Sequence, residues 1–395
     1  MKENMETMMS ESEQYLLHTY NRYPVVLDHG NGVYLYDTNG KKYLDFAAGI
    51  AVCALGYGNQ EFNESLKSQI DKILHVSNYF YTEPLCKAAK ALVEATGLKK
   101  AFLCNSGTEA NEGAIKLARK YAIQKGYEGR TEIISMNHAF HGRSMGALAV
   151  TGTAKYREPF EPLIGNVKFA EYNDLESVKE ILSERTCAII VEALQGEGGI
   201  YEAKPEFIKG LRKICDEHDL ILICDEIQCG MGRTGKMFAY QKYDILPDVV
   251  TMAKGIGNGI TVGAFAVSEK AQIGLEAGDH GTTFGGNPLA ATAVCTTFKQ
   301  FQKMNLVEHV KEVGEYLTEQ LENLVVNKEN ALARRGAGLM QGLECSMPVT
   351  EVIQQALKEG VIFVGAGANV IRFLPPLIIE KEHVDEMIQV LKEIL

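Results

Sequence analysis

The sequence predicts an α/β protein whose large domain is built on a mostly parallel sheet and is followed by a smaller α+β domain. Short, fully apolar runs alternate with longer helix-like stretches, which is typical of a parallel sheet covered by helices on both faces. These runs are residues 101–105, 132–136, 187–193, 220–226, 249–254 and 263–268.

Beyond about residue 285 the pattern changes, which is the second observation behind this fold class. A long helical stretch near 288–325 precedes short strand-like pieces at 338–345 and 369–375 and an amphipathic helix at 380–395. This order is typical of an α+β unit. We therefore expect an N-terminal segment at 1–55 that packs with the small domain, a large domain at 56–285 and a small domain at 286–395.

Composition limits the kind of protein that this chain can be. With 395 residues, 46% of them hydrophobic, it can bury a large core, and its net charge of −11 disfavours a nucleic-acid partner. The nine cysteines form no CxxC pair, no apolar run is long enough to cross a bilayer, and the acidic N-terminus is unlike a signal peptide. We expect a cytoplasmic globular protein with reduced thiols and without a membrane or nucleic-acid partner.

Two of the apolar runs end in a carboxylate and an amine. ILICDEIQCG (221–230) contains Asp225, and DVVTMAKGIGNG (248–259) contains Lys254. A lysine amine forms a Schiff base with an aldehyde cofactor, and a carboxylate nearby keeps a pyridine nitrogen protonated. The pair therefore predicts pyridoxal 5′-phosphate (PLP) chemistry.

A phosphate site is predicted where the first apolar run meets a helix. Ser106, Gly107 and Thr108 stand directly after that run and at the start of an amphipathic helix. Free backbone N–H groups and the helix dipole attract an anion there. The spacing of Ser106 and Glu109 also fits a simple capping box, which is the commoner reason for such a pattern. Both interpretations can hold at once.

The loop NHAFHGRSMG (137–146) offers groups for a ring and for a carboxylate. Phe140 can cover one face of a pyridine ring, and Arg143 can bind a substrate carboxylate through two hydrogen bonds. His138 and His141 lack a third ligand in an evident pattern, so hydrogen bonding in the loop is favoured and no metal is expected.

Two glycine-rich segments need separate interpretations. ALQGEGGI (193–200) places Gln195 and Glu197 at the carboxyl end of a strand-like run, where ligands gather in open parallel sheets, although a turn with a solvated acid is common. GIGNG (255–259) lacks the G-x-G-x-x-G spacing, so a nicotinamide-dependent dehydrogenase is disfavoured.

In order and spacing these segments resemble the class III (omega) aminotransferases, a subgroup of the fold-type I PLP enzymes. The matching stretches are DFAAGIAVCALGYGN (45–59), SNYFYTEP (77–84), NSGTEANEGAIKLAR (105–119), HAFHGRSMGALAVTG (138–152), LQGEGG (194–199), residues 224–259, GTTFGGNPLA (281–290) and IRFLPPL (371–377). They cover the chain almost end to end. The resemblance implies the fold-type I architecture.

The resemblance also implies roles for the matching residues. Lys254 carries the cofactor and moves a proton between the substrate carbon and the cofactor, and Asp225 pairs with the pyridinium nitrogen. Gln228 hydrogen-bonds the cofactor's phenolic oxygen, and Phe140 lies on the ring face. The phosphate is bound by one subunit and its neighbour together, through Ser106, Gly107 and Thr108 of the first and Thr283 of the second. A homodimer with active sites at the subunit interface follows.

Two substrates are expected to share this site. The resemblance implies that Arg143 binds the far carboxylate, that Arg372 binds the α-carboxylate of glutamate, and that Glu197 masks Arg372 otherwise. SNYFYTEP and RGAGLMQGLE (335–344) are most similar to members that transfer the amine of N2-acetyl-L-ornithine to 2-oxoglutarate. The expected products are N-acetyl-L-glutamate 5-semialdehyde and L-glutamate, in a step of arginine biosynthesis.

Other substrates stay open at this point. Enzymes that act on ornithine, 4-aminobutyrate, succinylornithine or succinyldiaminopimelate share the same machinery. Cys53, Ala193 and Cys229 depart from the usual family residues, and these positions bear on specificity rather than on reaction class. A non-catalytic PLP-binding relative is a further alternative, which the presence of both Lys254 and Asp225 disfavours.

Overall fold

The computed structural model describes residues 5–395, so residues 1–4 of the expected N-terminal segment lie outside it. The α-helices are α1 (Met5–Tyr15), α2 (Ala48–Ala51), α3 (Gln60–Ile70), α4 (Glu83–Thr96), α5 (Gly107–Gln124), α6 (Met145–Ala149), α7 (Ala154–Arg157), α8 (Leu175–Ile181), α9 (Pro205–Glu217), α10 (Pro288–Lys303), α11 (Leu306–Asn327), α12 (Val349–Lys358) and α13 (Lys381–Ile394). The strands are β1 (Leu27–Asn31), β2 (Tyr34–Asp37), β3 (Lys42–Asp45), β4 (Lys100–Cys104), β5 (Glu132–Met136), β6 (Val167–Ala170), β7 (Thr186–Val191), β8 (Leu194–Gln195), β9 (Tyr201–Glu202), β10 (Ile221–Asp225), β11 (Val249–Met252), β12 (Gly263–Val267), β13 (Ala331–Ala337), β14 (Met340–Cys345), β15 (Val361–Ile362), β16 (Val364–Ala366) and β17 (Val370–Phe373).

Seven strands form the central sheet, in the order β4-β12-β11-β10-β7-β5-β6. Strand β12 pairs antiparallel with both β4 and β11, and the other strands run parallel. The predicted fold class is therefore confirmed, and all six apolar runs form strands of this sheet. Strand β6 was not predicted, because it is an edge strand that is only half-buried and therefore has no continuous apolar run. Its Lys168 interrupts the apolar pattern.

The reversed strand β12 begins at the edge where the parallel strands end. Its first residue, Gly263, lies against the loop after β4, since a Cβ at Gly263 would lie 2.3 Å from the carbonyl oxygen of Ser106. Both faces of β12 are buried, so its sequence is as apolar as that of a parallel strand. An apolar run therefore predicts the strand but not its direction.

Helices cover the sheet on both faces, which explains why the central strands are buried at every position. Helix α5 packs on one face through small residues such as Ala114 and Ala118. Gly113 brings it close to β12, because a Cβ there would lie 2.3 Å from the Phe265 ring. Helix α9 packs on the opposite face through Phe207 and Leu211.

The N-terminal segment contacts the C-terminal part of the chain. Strands β1, β2, β3 and β15 form one sheet, in which β3 and β15 are parallel. The backbone N–H of Phe46 donates to the carbonyl of Ile362 at 3.0 Å, and Leu374 donates to Phe46 at 2.8 Å. These contacts join the N-terminal and C-terminal parts of the chain, and the division into domains stays a prediction.

Another sheet, β13-β14-β17-β16, lies in the C-terminal part and is antiparallel throughout. The long helical stretch expected near 288–325 consists of two helices, α10 and α11, with a short break between them. Asn305 adopts a φ of 48° between them, a left-handed conformation that asparagine tolerates better than most residues. Within residues 5–395, no helix combines the length and the apolar character needed to cross a membrane.

Candidate active site

The carboxyl ends of the parallel strands bring five loops to one edge of the central sheet. The loops carry Ser106 after β4, Asn137 after β5, Glu192 after β7, Ile227 after β10 and Lys254 after β11. In open α/β sheets, ligands bind beyond this edge. Most of the residues singled out in the sequence lie on these loops.

Asp225 is the last residue of β10, and hydrogen bonds fix its carboxylate. Its Oδ2 accepts from Asn111 Nδ2 at 2.7 Å and lies 2.8 Å from His141 Nδ1. Its Oδ1 accepts from the backbone N–H of Ile227 at 3.0 Å. Asn111 also donates to the carbonyl of His141 at 2.7 Å, so helix α5 and the loop after β5 hold the carboxylate together. Asp225 is only 3% exposed.

Lys254 lies in the cleft at the end of β11, in a strained backbone conformation. Its φ is 48°, in the left-handed region that most L-residues avoid, and such strain is concentrated at functional sites. Within the described chain its amine has no hydrogen-bond or ion-pair partner. Burial and the positive charge of Arg372 lower the pKa of Lys254 from 10.5 to about 8, against the opposing influence of Asp225.

Arg372 on β17 lies in the same cleft and is 3% exposed. Its NH2 lies 3.0 Å from Glu197 Oε2, and its NH1 donates to Gln228 Oε1 at 3.2 Å. Its Nε is buried without a partner among the described residues. The structure thus pairs Arg372 with Glu197 across the boundary between the central sheet and the C-terminal sheet.

Arg143 is exposed, and aromatic rings support its side chain. The guanidinium carbon lies 4.0 Å from the centre of the Tyr156 ring and 5.4 Å from that of Phe140. These two rings are 6.0 Å apart and nearly perpendicular, at 85°. The hydroxyl of Tyr156 donates to Glu197 Oε1 at 3.1 Å, so Tyr156 connects the surroundings of Arg143 with the carboxylate that pairs with Arg372.

The start of helix α5 shows the cap considered in the sequence, and phosphate binding there stays a prediction. Ser106 caps the helix by accepting from the backbone N–H of Glu109 at 3.3 Å, and the Glu109 side chain accepts from Asn105 N at 2.6 Å. The first N–H groups of a helix have no acceptor within it. Those of Gly107 and Thr108 therefore remain available to an anion.

Thr283 stands apart from this group. It is exposed and lines a cavity of about 880 Å³ together with His75, Asn78 and Phe102. No hydrogen bond joins it to any other candidate site residue within the described chain. Its neighbour Thr282 accepts from Asn105 Nδ2 at 3.1 Å, which brings the segment near the loop after β4.

Sequence reasoning missed Glu192, which is the first residue after β7. Its Oε1 accepts from the backbone N–H of Phe140 at 3.0 Å, and its Oε2 accepts from that of Gly196 at 3.2 Å. It therefore joins the loop after β5 to the turn that carries Glu197. Burial, reinforced by the charge of Asp225, raises the pKa of Glu192 from 4.5 to about 7. An acid at the end of a fully apolar run was the available signal.

Weaker sequence signals marked three other residues near the cleft, namely Asn111, His141 and Tyr156. Asn111 lies one helical turn after Gly107, and only the folded chain shows that it reaches Asp225. The ring of His141 forms a hydrogen bond, but its partner is Asp225 rather than its own loop. His138 is exposed. Among residues 5–395, no group of three His, Cys, Asp or Glu side chains is arranged to hold a metal ion.

The groups in this cleft fit the polar parts of PLP. Asp225 supplies a fixed carboxylate for a ring nitrogen, and Lys254 supplies an unpaired amine of lowered pKa for an aldehyde. The N–H groups of Gly107 and Thr108 suit a phosphate. Gln228 uses its carbonyl oxygen for Arg372, which leaves its amide N–H groups for a phenolic oxygen.

Comparison with known proteins agrees with this chemistry. The chain is 45% identical to an acetylornithine aminotransferase of Methanocaldococcus jannaschii over 99% of its own length and 98% of the relative's. The Clostridium acetobutylicum enzyme of the same name is 44% identical over 97% and 99%.

Solved structures show the same fold. An ornithine aminotransferase of Toxoplasma gondii is similar with a TM-score of 0.95 at 27% identity, covering 99% of this chain and 95% of that one. A second structure of the Toxoplasma enzyme has PLP in partial occupancy at its active site. The N-acetylornithine aminotransferase of Stenotrophomonas maltophilia gives a TM-score of 0.84 at 33% identity, with 98% of both chains covered.

The fold and the cleft together define a PLP-dependent transferase. Residues 15–395 match the family model of the class-III aminotransferases. The chain belongs to this family, and the predicted family, reaction class and cofactor are confirmed.

Proposed function

We propose that this aminotransferase moves the terminal amino group of N2-acetyl-L-ornithine to 2-oxoglutarate, and so forms N-acetyl-L-glutamate 5-semialdehyde and L-glutamate for arginine biosynthesis. The observation that carries the proposal is a cleft with two arginines, one of which, Arg372, is masked by Glu197 at 3.0 Å. The names of the relatives with 45% and 44% identity support the choice of substrate.

Lys254 is the proposed catalytic base and the proposed point of attachment. Bound PLP supplies an electron sink for the charge that proton loss leaves on a substrate carbon. A pKa of about 8 leaves a usable share of the Lys254 amine uncharged near neutral pH, as a nucleophile and as a base. In this proposal Nζ takes the proton from the amine-bearing carbon of the substrate.

Asp225 is proposed to keep the ring nitrogen of the cofactor protonated. Asn111 and His141 both engage Oδ2, while Oδ1 accepts only the backbone N–H of Ile227. The carboxylate is thus fixed on one side and keeps acceptor capacity on the other. Phe140 is proposed to cover the ring, and Ser106, Gly107 and Thr108 to bind the phosphate.

The two arginines are proposed to accommodate two substrates of different charge. Glutamate and 2-oxoglutarate carry two carboxylates, for which Arg143 and Arg372 are the partners. Acetylornithine presents its terminal amine without a carboxylate beside it. Glu197 then neutralises Arg372, because an unpaired guanidinium that is only 3% exposed would be costly.

A homodimer is part of the proposal. Four aromatic side chains are exposed close to the cavity that Thr283 lines, those of Tyr79, Phe80, Tyr81 and Phe284. Such a cluster is characteristic of an interface. With a second copy against it, Thr283 would bind the phosphate of the neighbouring active site.

We also propose a cytoplasmic location. All nine cysteines are free thiols, including the exposed Cys86. Reduced thiols are typical of proteins in that compartment.

Steady-state rates of the purified enzyme with 2-oxoglutarate and a panel of amines test the substrate. We expect acetylornithine to give the highest kcat/KM. Ornithine is the second candidate, because the Toxoplasma structure with a TM-score of 0.95 is an ornithine aminotransferase. Succinylornithine, succinyldiaminopimelate and 4-aminobutyrate complete the panel. If any of these amines gave a higher kcat/KM than acetylornithine, that amine would be the preferred substrate instead.

An absorbance scan separates a protein that binds PLP from one that does not, and the steady-state rates separate catalysis from cofactor binding alone. We expect a near-ultraviolet or visible band that borohydride bleaches. A colourless protein that stays inactive with added PLP would count against the proposed function as a whole.

A further inference from the structure

Tyr156 touches the surroundings of both arginines without being one of the residues assigned to substrate or cofactor. Its hydroxyl donates to Glu197 Oε1 at 3.1 Å, while Glu197 Oε2 lies 3.0 Å from Arg372. Its ring lies under the guanidinium of Arg143, at 4.0 Å from the ring centre. The Tyr156 side chain therefore contacts both Glu197, which pairs with Arg372, and Arg143.

The hydroxyl favours one of the two positions that Glu197 must adopt. With Arg372 masked, Glu197 uses one oxygen for the arginine and the other for Tyr156. When Glu197 turns aside for a carboxylate substrate, the hydrogen bond from Tyr156 is lost together with the ion pair. Burial and the charge of Glu197 raise the pKa of Tyr156, so its hydroxyl stays a donor over the working pH range.

The aromatic ring of Tyr156 acts on Arg143. Arg143 is exposed, and a guanidinium on an exposed side chain samples many rotamers unless something holds it. Contact with the face of Tyr156 restricts it through a cation–π interaction. Phe140, at 5.4 Å from the same guanidinium, supports it from a second direction.

We propose that Tyr156 is a positioning residue that sets the enzyme's preference between its two substrates, with its hydroxyl stabilising the masked form of Arg372 and its ring orienting Arg143. This inference rests on the proposed function. It assigns the hydroxyl and the ring to separate tasks, and substitutions can separate them.

Tyr156→Phe removes the hydroxyl and keeps the ring. A hydrogen bond of this kind is worth about two- to tenfold in an equilibrium constant. Unmasking Arg372 becomes easier by that factor, so we expect glutamate to bind about two- to tenfold more tightly. Acetylornithine, which uses the masked form already present, should bind almost unchanged. Tyr156→Leu removes the ring as well, and both substrates should bind more weakly to this variant than to Tyr156→Phe.

The measurement is a single turnover of each half-reaction by the PLP-loaded enzyme, with glutamate alone and with acetylornithine alone, followed by cofactor absorbance. Calorimetric titration with glutarate, which has two carboxylates and no amine, gives a readout independent of turnover. We expect glutarate to bind Tyr156→Phe about two- to tenfold more tightly than the unchanged enzyme.

Tyr316→Phe is the matched control. Its hydroxyl donates to Asp385 Oδ1 at 2.6 Å, between α11 and α13, outside the candidate site. We expect this variant to leave the binding of both substrates unchanged. If Tyr156→Leu does not fold, the Tyr156→Phe variant still tests the effect of the hydroxyl on substrate preference.

The outcomes are distinct. Tighter glutamate and glutarate binding by Tyr156→Phe, with acetylornithine unchanged, supports the proposal. Unchanged or weaker binding of glutamate and glutarate overturns it. An unchanged enzyme that transaminates neither substrate refutes the proposed function instead.

Discussion

Charged side chains lie at both edges of the central sheet, and those at the amino edge have more side-chain partners. At the amino edge, Asp219 accepts from Tyr121 at 2.9 Å and Tyr127 at 2.8 Å, and Lys270 lies 3.2 Å away. At the carboxyl edge, Lys254 has no partner within the described chain, and Glu192 has only backbone donors.

The pKa values follow this difference. Burial alone would raise the pKa of Asp219, but hydrogen bonds from Tyr127 and Tyr121 lower it below its ordinary value. At the carboxyl edge burial prevails, and it moves the pKa of Lys254 down to about 8 and that of Glu192 up to about 7. We expect the paired charges to contribute to stability, whereas the incompletely paired groups lie in the cleft that we propose for the ligands.

The largest effect is expected from Lys254→Ala. Turnover should fall by roughly 10³-fold or more, because the proposed base and attachment point are lost. Removal of a desolvated amine should leave the melting temperature unchanged or higher. Lys270→Ala at the opposite edge is the control, for which we expect the reverse: full turnover and a lower melting temperature. Substantial turnover by Lys254→Ala would refute the assignment.

Asp225→Asn should have the next largest effect. The side chain keeps its shape and loses the charge that supports a protonated ring nitrogen, so the single-turnover rate should fall by roughly 10²–10³-fold. Asp219→Asn, which changes a carboxylate at the amino edge, should lower the free energy of unfolding and keep the rate. Equal rates for both variants would show that the charge at Asp225 is not used.

Glu192→Gln should change how stability depends on pH. The folded pKa of Glu192 is about 7 and the ordinary value is 4.5, so the unfolded chain loses this proton first. The contribution of this group is present below about pH 4.5 and is lost as pH rises toward about 7, by up to about 3 kcal/mol. The variant should therefore lose less stability than the parent protein between these pH values. Parallel unfolding curves over that range would contradict the expectation.

The smallest effect is expected from Tyr121→Phe. This change removes one hydrogen bond to Asp219 and should lower the free energy of unfolding by about 1 kcal/mol. Urea unfolding measures the loss, and steady-state assays should show unchanged turnover. A change in kcat without a change in the free energy of unfolding would mean that a residue at the amino edge affects catalysis in the cleft.

The sequence predicted most of the sheet and much of the cleft, and the reasons are physical. Strands buried on both faces leave continuous apolar runs, and residues that end parallel strands meet at one edge, as Asp225 and Lys254 do. The break at Asn305 and the direction of β12 depend on contacts made only in the fold.

Side-chain partners that are distant in sequence were the hardest to predict. Asn111 reaches Asp225 across 114 positions of the chain, and Tyr156 reaches Glu197 across 41. No local pattern encodes such contacts. The roles proposed for the site residues, including Gln228 and Thr283, stay predictions that the experiments above address.

The reversed strand β12 constrains the loop that we propose as the binding site for the coenzyme's phosphate. Gly263 leaves no room for a methyl group beneath the Ser106 carbonyl, since a Cβ would come within 2.3 Å of that oxygen. Any larger residue at this position would push the loop that carries Ser106 outward. With the phosphate bound by this loop as proposed, we expect the lifetime of the holoenzyme to depend in part on Gly263.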